Sequence, residues 1–287
     1  MTDLRNPVSQ LTLKIRTDDT SSSPLVSEFD PMDSALENSD PASATQTSRY
    51  FEDSGFVVLP DLLSESELIP VSDEIDVYLS GGSKKAPADA IIYEPGSCPP
   101  RIRNIFHIHR FSAVCAKLAH HPKIISVVRQ ILGSPLRLYS SGLFAKPAEV
   151  GTQVPLHQDM AYWPFEPFQL LSCWIALDDS TVENGCVRFL PESHKLGLLH
   201  HVPSGIPGNS LGIDDKRVTG LNEHAVEVRR GSCVLHHCLT AHRSEANRAA
   251  RPRRGLIFVY MSPRVRLTDP SKIKGTPDFP VVDGDNG

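Results

Sequence analysis

From residue 135 onward the chain breaks into short apolar runs, each closed by Pro, Gly or Asn after 8 to 12 residues. That rhythm leaves no room for long helices, so this half must bury its surface as paired strands. The runs predict strands at 136–146, 153–157, 169–177, 186–190, 225–229, 232–237 and 255–262. Upstream the texture is helical. SRYFEDSG reads as a short amphipathic helix ending near Gly55, followed by a strand over Phe56, Val57, Val58 and Leu59. Ser64 and Glu67 form a capping-box pattern, but Pro70 sits deep for that start, so the helix is expected to begin nearer Pro70. Two more helices are expected over 111–120 and 122–132, the second with Pro122 in its first turn and Gly133 as its stop. Helices first and strands afterwards imply a mainly β domain, a sandwich or jelly roll with flanking helices.

Composition narrows the function classes. The 287 residues carry a formal charge of -5, and residues 1–46 hold eight acids against three bases, which leaves the body neutral. A neutral body has no global field to steer a polyanion, which argues against a nucleic-acid partner. Residues 1–46 read as a flexible acidic tail, with LTLKI at 11–15 as a short strand within it. Residues 47–263 read as the working domain, and 264–287 as a C-terminal extension that loses periodicity. The six cysteines include no CxxC pair, so free thiols and a reducing compartment are expected. No run approaches a membrane span and the N-terminus has no secretory pattern, so a cytoplasmic location without membrane contact is expected.

The chemistry concentrates in VPLHQDMAYWP. His157 and Asp159 are two residues apart, so on a strand both side chains leave one face and aim at a common point. Alone, the pair could equally be a hydrogen-bonded couple on a sheet edge. His242, 85 residues later in LTAHRS, supplies a third donor from a distant strand. Two imidazoles and one carboxylate make the facial triad of non-haem iron(II) oxygenases, which leaves metal positions open. An iron of that kind needs a chelating co-substrate. For 2-oxoglutarate the far carboxylate needs a buried cation, and a guanidinium grips both of its oxygens. Arg253, eleven residues after His242, suits that task; the adjacent Arg254 is the alternative in register. The same donors leave open a zinc or manganese isomerase or hydrolase, or a structural metal.

Four spaced blocks carry a resemblance: LFAKP with the histidine of LHQD eleven residues after its lysine; CWIALDDSTVENGCVRFLPESHKLG; RRGSCVLHHCLTAHRS; and NRAARPRRG. Together they resemble the phytanoyl-CoA dioxygenase family of Fe(II)/2-oxoglutarate oxygenases, from about residue 47 to about residue 263. The resemblance implies a double-stranded β-helix of cupin-like type that uses Fe(II), 2-oxoglutarate and O₂ on a small-molecule substrate. It implies His157, Asp159 and His242 as iron ligands, Arg253 as the carboxylate clamp and Ser244 as a hydroxyl donor beside it. Lys146, Gln158 and Trp174 match positions that line the co-substrate or substrate side. Related halogenases have a small residue in place of the carboxylate, so Asp159 favours oxygenation. Hydroxylation of a natural-product intermediate is the expected outcome, with catabolism of a small metabolite as the alternative. The loop AYWPFEPF, with Tyr162, Trp163, Phe165 and Phe168, either walls an apolar pocket or packs as ordinary core. Arg101 and Arg103 are expected in an exposed loop. A zinc site at His236, His237 and Cys238 is disfavoured, because adjacent strand residues face opposite ways.

Overall fold

A computed structural model of the chain describes residues 44–81, 86–273 and 278–283. The acidic segment through residue 43, with LTLKI, lies outside them. The chain opens with helix α1 (Ala44–Ser54), strand β1 (Phe56–Leu59) and helix α2 (Glu65–Leu79). The first begins three residues inside the segment assigned to the tail. Helix α2 starts at its capping box rather than near Pro70: the Ser64 N–H donates to Glu67 Oε2 at 2.7 Å. Pro70 then falls on an exposed position within the helix, where the carbonyl left without its N–H partner is close to solvent. Strands β2 (Ile91–Tyr93) and β3 (Ile102–Phe106), helices α3 (Ala113–Ala119) and α4 (Pro122–Leu132), and strand β4 (Arg137–Lys146) follow. Next come β5 (Val154–His157), β6 (Phe165–Glu166), β7 (Leu170–Ala176), β8 (Val187–Phe189), β9 (His201–Ile206) and β10 (Asn209–Ile213). The chain closes with β11 (His224–Val226), β12 (Cys233–His237), β13 (His242–Ser244), β14 (Arg253–Met261) and β15 (Arg266–Leu267).

The larger sheet has seven strands in the order β1-β12-β7-β14-β4-β3-β2, and the smaller has four in the order β11-β8-β13-β5. Their pairings are antiparallel, and the two sheets form the jelly roll expected from the sequence. Every residue of β7 is buried, because both faces of the larger sheet are covered. Period-two alternation divides the work between them. Outward-facing Leu171, Cys173, Ile175, Leu235, Leu256 and Phe258 pack against Leu68, Val71, Ile75, Ile124 and Val128 of the helices. The intervening residues, among them Ser172, Trp174, His236 and Ile257, turn toward the space between the sheets. The helices anchor the sheet and leave its inner face for chemistry.

Further segments depart from expectation. The hairpin β9–β10 was not foreseen, because HVPSGIPGNSLGI lacks apolar alternation. The C-terminal extension does not simply trail away. Val265 and Val282 are buried, Val281 bridges to Arg137, and Asp283 Oδ1 accepts from the Leu136 N–H at 2.5 Å. All six cysteines are free thiols, and only Cys98 is exposed. Among the described residues no helix is long and apolar enough to cross a membrane.

Candidate metal centre

His157 ends β5, and Asp159 opens the short turn behind it. His242 begins β13 and lies directly across the ladder from His157. That register brings the two imidazoles together with ring centroids 4.3 Å apart. Asp159 Oδ1 lies 3.6 Å from His157 Nε2 and 3.8 Å from His242 Nε2. One ligand atom from each of the three residues falls within 4.8 Å of the others.

Backbone carbonyls set the tautomers. His157 Nδ1 donates to Pro155 O at 2.8 Å, and His242 Nδ1 donates to Thr240 O at 2.9 Å. Each Nε2 is thereby left as a lone pair aimed at the shared point, the form a metal requires. Burial, with His157 alongside, pushes the His242 imidazole down to about 3, so it stays neutral. Burial works against ionisation of Asp159, but the His157 and His236 imidazoles beside it, with His242 nearby, outweigh it and hold the carboxyl well below its ordinary range. Two neutral nitrogens and one anionic oxygen fit a divalent transition metal with open positions.

The triad opens into a cavity that Arg253, Trp174, Lys146 and Ser244 also line. Arg253 is 3% exposed and its Nε has no hydrogen-bond partner among the described residues. Its guanidinium carbon sits 5.5 Å from the centroid of the Trp174 ring. Burial lowers it only to about 10, so the charge persists at neutral pH. A buried cation with no carboxylate of its own is an anion receptor. Gly255 makes the stacking feasible, because a Cβ there would stand 2.1 Å from Trp174 Nε1. Arg254 does not line the cavity and is held by Asp178 at 2.7 Å and by Asp76. Ser244 is buried on the same wall, across the ladder from Val187.

Two expected lining residues behave differently. Gln158 does not line the cavity, because alternation sends it to the face opposite His157 and Asp159. Its Nε2 donates to Gly197 O and Leu239 O at 2.9 and 2.7 Å, and its Oε1 accepts from Leu199 N at 2.8 Å. Lys146 lines the cavity with its stem, but its ammonium donates to Thr152 O and Glu245 O at 2.6 and 2.7 Å. Burial, with Arg253 and Arg103 nearby, pushes that amine well below its ordinary range.

Other residues were missed or misplaced by the sequence. Arg103 is not on an exposed loop but buried on β3 at the cavity wall, bonded to Glu94 at 3.2 Å and to Asn209 Oδ1 at 3.0 Å. Glu94, nine residues earlier, was the only available signal. Of the aromatic loop, Trp163, Phe165 and Phe168 pack with Met160, Leu170 and Tyr139 in a separate apolar cluster. Tyr162 stays near the site, 5.9 Å from the His157 ring centroid, with its hydroxyl bonded to the Leu211 backbone. His236 turns inward onto Asp159, and no zinc cluster forms with His237 and Cys238 among the described residues.

A family model described as phytanoyl-CoA dioxygenase matches residues 51–255. The chain is 32% identical over 231 residues to the mouse phytanoyl-CoA dioxygenase domain-containing protein 1, covering 75% of this chain and 79% of that one. It is 28% identical over 247 residues to an ectoine dioxygenase of Bordetella bronchiseptica, covering 80% and 79%. Among solved structures, the epimerase SnoN in complex with Fe³⁺, α-ketoglutarate and nogalamycin RO superposes with a TM-score of 0.64 at 25% identity, covering 80% and 88%. The chain therefore belongs to the phytanoyl-CoA dioxygenase family of Fe(II)/2-oxoglutarate-dependent dioxygenases.

Proposed function

We propose that this dioxygenase hydroxylates an unactivated C–H bond of a small organic molecule, a natural-product intermediate, releasing succinate and CO₂. One observation carries the reading: a three-donor cluster and a buried guanidinium whose Nε has no partner among the described residues face the same cavity. His157, Asp159 and His242 hold the metal in this proposal, and Arg253 grips the distal carboxylate of 2-oxoglutarate with Ser244 as a hydroxyl donor beside it. Bound iron would activate O₂, the oxidant, with two electrons coming from 2-oxoglutarate as it loses CO₂ and two from the substrate. The chain's own residues orient and exclude. Trp174 covers one face of Arg253, which keeps water from competing for the guanidinium. Phe144, Val187, Phe189, Val234 and Ile257 give the cavity an apolar wall, and Arg103 and Asn209 give it a polar end.

That mixed lining suits an amphipathic small molecule held by shape and a few polar contacts. The likeness to a structure that holds nogalamycin RO supports a natural-product substrate. The test is a screen of such compounds for coupled consumption of O₂ and 2-oxoglutarate. The expected product is heavier than its substrate by one oxygen atom. A coupled product isomeric with its substrate, or lighter by two hydrogens, would replace hydroxylation with epimerisation or desaturation.

A further inference from the structure

Asp159 has two oxygens, and only Oδ1 faces the histidines. The other, Oδ2, lies 2.7 Å from Ser172 Oγ and 3.0 Å from His236 Nε2. A carboxylate only accepts, so both neighbours donate to it. His236 stands directly opposite Ser172 in the β12–β7 ladder, so the backbone register sets both donors at one height beneath the same oxygen. We infer that Ser172 and His236 form a two-donor clamp that keeps Asp159 one-armed toward the metal point, so that a second carboxylate oxygen does not take a position the co-substrate needs. The inference rests on the metal-centre reading above.

Three features argue that His236 does more than fill space. It is 2% exposed and wedged between Phe189 and His242, with ring centroids 5.3 and 4.6 Å away. Its Nδ1 is buried with no partner among the described residues, an unfavourable arrangement. An apolar ring would fill that slot without the cost, so the imidazole is accounted for by its donor nitrogen. Nor does His236 belong to the ligand set, because Nε2 addresses the oxygen turned away from the other two imidazoles. It is a positioning residue, acting through Asp159.

The test titrates Co(II) into the metal-free full-length chain, reading the dissociation constant by calorimetry and the ligand field by visible absorption. His236→Phe and Ser172→Ala should each weaken Co(II) binding by about 10- to 100-fold, the usual consequence of losing an outer-shell partner. Both should also shift the ligand-field bands as the carboxylate becomes two-armed. His236→Gln, whose amide N–H reaches the position of Nε2, should restore both affinity and spectrum. Ser172→Ala removes a single oxygen, so it decides the question if His236→Phe does not fold. Wild-type affinity and spectrum in folded His236→Phe or in Ser172→Ala, with binding lost in His242→Ala, would overturn the clamp and leave the metal centre standing. Loss in His236→Phe without rescue by His236→Gln would also overturn it in favour of packing. If the wild-type chain takes up no Co(II), the metal-centre reading fails and the clamp with it.

Discussion

His242→Ala and His157→Ala each abolish substrate-dependent succinate formation while the protein stays folded. Three donors meet at the site, and each histidine holds one lone pair toward it through a backbone bond at its other nitrogen. Loss of an outer-shell partner alone costs about 10- to 100-fold in metal affinity or activity, so removing a ligand should cost at least about 100-fold. The fold should tolerate both changes. His157 and His242 sit between the sheets at the cavity, while the helix-packed core is built from other residues. Succinate measured after quenching, with circular dichroism on the same samples, separates lost chemistry from lost structure. A folded variant that turns over at the wild-type rate contradicts the ligand assignment.

Arg253→Met weakens 2-oxoglutarate binding far more than it slows the saturated enzyme. Methionine keeps an apolar stem against Trp174 and removes the charge. The guanidinium is buried and its Nε has no partner among the described residues, so its partner is expected to arrive with the co-substrate. Breaking such a desolvated charge pair costs about 2–5 kcal/mol. At about 1.4 kcal/mol per tenfold, the 2-oxoglutarate half-saturation should rise at least about 30-fold. Arg253→Lys should recover part of the loss, because an ammonium offers charge without the two-pronged grip. Arg254→Met should leave half-saturation unchanged, since Arg254 is engaged outside the cavity by Asp178 and Asp76. Initial rates over a 2-oxoglutarate series check all three variants. Equal half-saturation in wild type and Arg253→Met would move the clamp elsewhere.

Much of this centre was legible because strand alternation is a rigid rule. The spacing of His157 and Asp159 placed both on one face, and β7, β12 and β14 announced themselves as apolar runs near their true ends. The same rule, applied one residue further, would have turned Gln158 away from the cavity; motif matching outweighed it there. Arg103 was hidden because its partners are remote: Thr152, Gln153 and Asn209 meet it only after folding. His236 stood next to His237 with nothing in the sequence to say which faced inward. That choice follows from the register of β12 against β7, where His236 lies opposite Ser172. The hairpin β9–β10 carried no alternation, and it is tied to the site by remote partners: Asn209 through Arg103, Leu211 through Tyr162 and His201 through the Gln158 N–H.

The central claim is that His157, Asp159 and His242 gather one ferrous ion with 2-oxoglutarate held toward Arg253. An anaerobic titration of the full chain with Fe(II) and 2-oxoglutarate, followed by visible absorption, addresses it directly. The account predicts a weak charge-transfer band that saturates at one iron per chain and is missing in His242→Ala. A wild-type protein that develops no such band, or a His242→Ala variant that develops it unchanged, would contradict the account.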